Sequence, residues 1–454
     1  MKYLAFLLLA LVLLSCDKNE PSYSIIHGTL ENSPADFIVV TGNKLETKIP
    51  VSADRTFSDT LHLHSDGFYQ LYAGREQTEI YLEKGKNLTI NMDGDNFDES
   101  LKFSGDLATE NNYLNQRYLW NETHIDYKDL YSSDEDTFIK KLDANQKAMD
   151  SLYKVHKIKN PNFEKISQKE NEYLKATHIE NYVDAHRYLT GIEDYQVESN
   201  FYNPLKDINY ADTLAFRNSL AYQNMLDAHF NRLVNEETYE SGDNEHTLLF
   251  MKKVNSSLPD GYAKDKIMFN YLHFGLKPDN SLEEAFNIYK NSNPNPDNLM
   301  EITGRYNKLQ TLIKGKASPT FNYENHKGGK TSLADLKGKY VYIDVWATWC
   351  GPCLREIPAL KEREKEYQSK NIEFVSISID EPKDYDKWKN MVTEKSLAGV
   401  QLMADNNWNS EFVKDYGILG IPRFILLDPD GNIVSADAPR PSDPMLKKTL
   451  DALL

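Results

Sequence analysis

The sequence predicts a multi-domain protein: a small β-sandwich, an all-α middle segment and a C-terminal α/β domain, in that order along 454 residues. Three observations carry this. Short runs rich in Thr, Ile, Val and Tyr recur between turn signals near the front. Apolar residues at helical spacing fill the middle, and two apolar strand-like runs flank a helical pattern near the end. A chain of this length has room for about three domains of roughly 150 residues each.

The first sixteen residues, "MKYLAFLLLALVLLSC", are not fold material. One Lys, an apolar run from Tyr3 to Leu14 and then small residues read as a secretory signal peptide, residues 1–15. The run is too short to span a membrane, which takes about twenty apolar residues. Its end, Leu13-Leu14-Ser15-Cys16, resembles a bacterial lipobox. That resemblance implies lipidation at Cys16, a tether over residues 16–22, and a periplasm-facing protein anchored in the cell envelope by lipid.

Residues 23–106 hold "FIVVTGN", "FYQLYAG", "TEIYLEKGKN" and "LTINMDGDN", strand-like runs closed by Gly, Asn and Asp, as expected of a small antiparallel sandwich. His62 and His64 in "LHLH" would share one strand face. With no carboxylate or Cys at ligand spacing, they read as a surface pair. Residues 107–315 read as helical. In Asp134–Lys157, Phe138, Leu142, Met149, Leu152 and Tyr153 keep to one side of a helix, and "SSDED" ahead supplies an N-cap and an acidic first turn. Similar patterns cover Glu164–Leu189, Thr213–Val234, Asp265–Phe274, Leu282–Tyr289 and Leu299–Ile313. The many tyrosines here read as rings covering helix contacts with wet hydroxyls. In residues 316–454, "GKASPTFNYEN" is a linker-like entry. "KYVYIDVWA" and "IEFVSISID" with "CLREIPALKEREKEYQ" between them make a βαβ unit, and "FILLDPDGNIV" a hairpin.

Charge excludes one function class. Fifty-two Lys and Arg against 69 Asp and Glu, a net −17, argue against nucleic acid, whose binding depends on basic residues. The three cysteines narrow the rest. With Cys16 lipidated, Cys350 and Cys353 are the remaining thiols. A loop this small staples little, so chemistry explains the pair better than stability does.

"WCGPC" between a strand and a helix brings in a resemblance. Residues 317–454 are similar to thioredoxin, and more closely to exported disulfide reductases of the TlpA and ResA type. The likeness rests on Trp349-Cys350-Gly351-Pro352-Cys353, on Asp344 ahead of the pair, on Glu356 and Pro358 behind it, on Gly420-Ile421-Pro422, and on the insertion "DEPKDYDKWKNMVTEKSLAGVQLMAD". It implies a redox disulfide between Cys350 and Cys353, with Cys350 as nucleophile and Cys353 as resolving thiol. It further implies proton transfer by Asp344 and Glu356, and a cis-proline loop at Pro422 whose Ile421 pairs with substrate backbone. Trp349, Gly351 and Pro352 complete the substrate surface, and Arg423 lies close by.

Elementary chemistry agrees with these roles. A thiolate is the attacking species, and a helix N-terminus favours it at Cys350. Pro352 fits the first helical turn, and Cys353, one turn in, should be the less exposed sulfur. A carboxyl desolvated beneath the pair would take the proton of Cys353 near neutral pH. A zinc site lacks two ligands, so neither metal nor cofactor is expected. A peroxidase motif Pro-x-x-x-Thr-x-x-Cys fails, because Asp344 and Ala347 occupy its Pro and Thr positions. The expected partners are disulfide-bonded proteins and a membrane electron donor. The alternative is a lipoprotein scaffold whose front domains bind a ligand, the redox domain being accessory.

Overall fold

The structure, a computed structural model, describes residues 22–241 and 246–454. The signal peptide and Cys16 lie outside them. Among the described residues no helix is long and apolar enough to cross a membrane. The chain forms two compact units, one reaching to Arg232 and the other running from Leu233 to Leu454.

The first unit opens with eight strands: β1 Tyr23–Glu31, β2 Phe37–Gly42, β3 Leu45–Pro50, β4 Thr56–His62, β5 Gly67–Ala73, β6 Glu76–Leu82, β7 Asn87–Asp93 and β8 Lys102–Gly105. They make two four-stranded sheets, ordered β4-β1-β7-β8 and β3-β2-β5-β6. Alternating residues feed one core: Ile26 and Leu30 of β1 and Ile90 of β7 meet Ile38, Val40 and Leu71 of the other sheet. One pairing differs from the antiparallel expectation, since β1 runs parallel to β7. The chain crosses to the second sheet for β5 and β6 and re-enters the first beside β1. A Cβ on Gly28 would lie 1.7 Å from the Ile90 carbonyl oxygen, so this approach requires glycine. β4 ends at His62, but the alternation runs on: Leu61 and Leu63 are buried while His62 and His64 are both exposed, a surface pair.

Helices follow: α1 Phe97–Ser100, α2 Ala108–His124, α3 Tyr127–Ser132, α4 Glu135–His156, α5 Pro161–Glu180, α6 Tyr182–Thr190, α7 Thr213–Asn218 and α8 Leu220–Ser241. Asp134 caps α4 by accepting the Thr137 amide, and Phe138, Leu142 and Met149 are buried along one face. The patterns over Glu164–Leu189 and Thr213–Val234 are each two helices. Asn181 separates the first pair and an extended Ser219 the second. Apolar spacing continues across such joints because both helices face the same core.

The boundary falls inside α8, so the second unit takes the end of that helix and continues with α9 His246–Ser257, α10 Tyr262–Gly275, α11 Leu282–Asn291 and α12 Pro296–Gln310. Then come β9 Asn322–Asn325, β10 Lys330–Ser332, β11 Tyr340–Trp346, α13 Gly351–Glu366, β12 Ile372–Ser378, α14 Tyr385–Glu394, β13 Val400–Met403, α15 Glu411–Asp415, β14 Arg423–Leu427, β15 Ile433–Ser435 and α16 Pro444–Leu453. One seven-stranded sheet, β10-β9-β13-β12-β11-β14-β15, organises them. β11, β12 and β13 run parallel, and β14 returns antiparallel beside β11. Val341 to Trp346 are buried without a break, as a strand covered on both faces requires. The entry read as a linker is pinned. The Gly315 amide donates to the Ile433 carbonyl (2.8 Å), the Ile433 amide to Lys316 (2.8 Å), and the Ser318 amide to Gly431 (3.1 Å).

Candidate redox site

β11 ends at Trp346, and the chain turns sharply before α13. The Cys350 amide closes this turn on the Ala347 carbonyl (3.1 Å). Cys350 is the N-cap of α13, its Sγ accepting the Cys353 amide at 3.2 Å. Pro352 stands in the first turn, where its missing donor costs nothing. The two sulfurs are joined as a disulfide, with Cα atoms 5.3 Å apart. One expectation fails: Cys350 is no more open than Cys353, each being 4% exposed. The Ile421 carbonyl oxygen lies 3.8 Å from Cys350 Sγ and helps cover it. Position therefore distinguishes the two sulfurs, and exposure does not. The Ile421–Pro422 peptide is cis.

Asp344 lies on β11, flanked by Ser376 of β12 and Phe424 of β14. It is buried and its Oδ1 has no hydrogen-bond partner. Burial pushes its carboxyl up to about 8, with the negative charges of Glu356 and then Glu364 adding to the shift. Glu356 is half-buried, and Ser442 engages it through the amide (3.0 Å) and the hydroxyl (2.9 Å). Among the described residues neither acid is hydrogen-bonded to Cys353. The charge of Glu356 nonetheless acts on Asp344, so the two acids form one electrostatic group.

Two neighbours carry no signal in the sequence. Asp380, fully buried, accepts the Thr348 amide on both oxygens (3.1 and 2.9 Å), the Thr348 hydroxyl (2.7 Å) and the Ser378 hydroxyl (2.6 Å). It thus locks the turn that presents Cys350 from 32 positions away. Trp408 brings its ring to 6.4 Å from that of Trp349, which is 50% exposed. Gly351, Pro352 and Leu419 are also exposed, giving an open apolar rim beside the sulfurs. Arg423 pairs with Asp437.

The arrangement is that of a thiol–disulfide exchange site on a thioredoxin-like sheet. Residues 314–436 match the AhpC/TSA family model. The chain is 32% identical over 131 residues to the thiol-disulfide oxidoreductase ResA of Bacillus cereus, across 29% of this chain and 73% of that protein. It is 27% identical to ResA of Bacillus subtilis, across 28% of this chain and 67% of the relative. Among solved structures, a thiol-disulfide oxidoreductase from Bacteroides fragilis is 32% identical, covering 31% of this chain and all of that one, with a TM-score of 0.28. Through its C-terminal third the chain belongs to the ResA family of thiol-disulfide oxidoreductases.

Proposed function

We propose that the chain is a periplasmic reductase of protein disulfides, working through the Cys350/Cys353 dithiol. The observation that carries this is the Cys350 sulfur at the N-cap of α13, accepting the Cys353 amide. Once reduced, that sulfur is stabilised as a thiolate by the amide and the helix dipole. It attacks one sulfur of a substrate disulfide, whose other sulfur leaves as a thiolate. Cys353 then gives up its proton, attacks Cys350 Sγ and releases the second substrate thiol. Two electrons pass to the substrate, and the Cys350–Cys353 disulfide closes. Asp344, buried and pushed up to about 8, is the acceptor for the Cys353 proton, and Glu356 tunes it.

The direction rests on Gly351-Pro352, which resembles the reducing end of a scale from about −270 mV for thioredoxin to about −120 mV for DsbA. A membrane electron donor restores the dithiol. The apolar leader and Cys16 support export and lipid anchoring, and the two front sheets are read as a sandwich domain over residues 23–106. The test is trapping. Cys353→Ala should accumulate mixed disulfides between Cys350 and protein substrates, while Cys350→Ala should trap none. Equal trapping by both variants would reverse the roles, and a reduction potential above about −150 mV would reverse the direction.

A further inference from the structure

The cis-proline loop, Ile418 to Pro422, is held at both ends by the helices that precede the sheet in the second unit. Upstream, Lys308 of α12 donates to Asp415 at the end of α15 (2.7 Å). One turn earlier on the same helix, Arg305 reaches the Gly417 carbonyl with one nitrogen and the Leu276 carbonyl past α10 with another, both at 3.5 Å. Gly417 has φ +58, so this joint between α15 and the loop is a left-handed residue that favours glycine. Downstream, Arg423 pairs with Asp437, and the second oxygen of Asp437 takes Lys277 at 2.9 Å. Between these anchors the Ile421 carbonyl faces Cys350 Sγ.

We infer that Lys277, Arg305 and Lys308 are positioning residues for disulfide exchange, setting the cis-proline loop so that its backbone is ready for an extended substrate chain. This rests on the exchange reading and deepens it, because it gives the helical segment a part in recognising protein disulfides. Three cations, Arg305 and Lys308 on α12 and Lys277 in the connection after α10, meet two carboxylates and a carbonyl on the redox side. None of them touches the sulfurs. Their effect therefore falls on docking of a polypeptide and leaves the electron transfer itself alone. A small disulfide, which needs no backbone edge, is indifferent to them. Partly exposed pairs of this kind weaken with salt.

The test uses the full chain, with insulin as the protein disulfide in the presence of dithiothreitol, and with 5,5′-dithiobis(2-nitrobenzoate) as the small one in single turnovers of the pre-reduced chain freed of dithiothreitol. In the Lys277→Ala/Lys308→Ala variant, KM for insulin should rise about three- to tenfold. Its kcat, turnover of the small disulfide and the reduction potential should stay as they were. Lys308→Glu should raise KM on its own, and adding Asp415→Lys should bring it back. An unchanged KM, a parallel loss on the small disulfide, or no recovery in the charge-swapped pair would overturn the inference. Failure of the unaltered chain on both disulfides would remove the exchange reading beneath it; a fully active unaltered chain with unchanged variants would remove the inference alone.

Discussion

Two buried carboxylates in the two units have opposite fates. Glu180, in the helices of the first unit, is 1% exposed and accepts from the Tyr210 hydroxyl (2.6 Å), His229 (3.0 Å) and Arg232. Burial pushes its carboxyl up, but the His229 hydrogen bond and the Arg232 charge outweigh that and hold it below the usual value. Asp344 is also buried, though slightly less so at 9% exposed, has one oxygen without a partner, and is driven up to about 8. Burial alone therefore does not make a carboxyl reactive. Withheld partners do.

The largest expected effect tests the structural half of that contrast. Glu180→Ala leaves His229 and Arg232 facing a hole and should cost about 3–5 kcal/mol in urea unfolding. Disulfide reduction per folded molecule should not change. If turnover falls as well, the contrast fails. Asp344→Asn should do the reverse, slowing insulin reduction by about a hundredfold while stabilising the fold above neutral pH. The sign follows from linkage. A folded carboxyl near 8 and an unfolded one near 3.8 mean that the native state keeps a proton the unfolded state has lost. Stability should thus fall as pH rises from about 4 to about 8, and melting of Asp344→Asn across that window should lack the slope.

Asp380→Asn sharpens the comparison, because Asp380 is buried like Asp344 yet fully partnered like Glu180. An amide nitrogen cannot accept, so one donor from Thr348 or Ser378 loses its acceptor. A cost of about 1–3 kcal/mol in unfolding is expected, with slower alkylation of reduced Cys350 as its turn loosens. The smallest effect belongs to Glu356→Gln. Its carbonyl still accepts from Ser442, so stability should change by about 1 kcal/mol or less. Removing its charge lowers the Asp344 carboxyl, so the acidic limb of the pH–rate profile should move to lower pH.

Much of the site was legible because its parts are adjacent in sequence. An apolar run, a Cys pair and a Pro in the first turn specify a strand, an N-cap and a helix through local rules alone. The same holds for the Asp428-to-Gly431 hairpin and for Asp134 ahead of α4. What stayed hidden is non-local. "SISID" reads as a strand end, and nothing in it tells that Asp380 will reach back to Thr348. Trp408 lies in a polar stretch far from Trp349, and Ser442 far from Glu356. The parallel β1–β7 pair was invisible for a related reason: alternation marks a strand's buried face and is silent about its neighbour. Cys350 was expected to be open, but its cover comes from Ile421, which local pattern does not place over it.

The backbone bonds from Gly315 and Ser318 to the β14–β15 hairpin have a consequence for the weak contacts above them. On a slack connection, Lys308 and Asp415 would spend most of their time apart, since an exposed ion pair cannot offset the freedom lost in meeting. With the connection stitched to the sheet, the encounter is settled in advance and their effective concentration is permanently high. Fragile electrostatic contacts thereby become adequate guides for the loop.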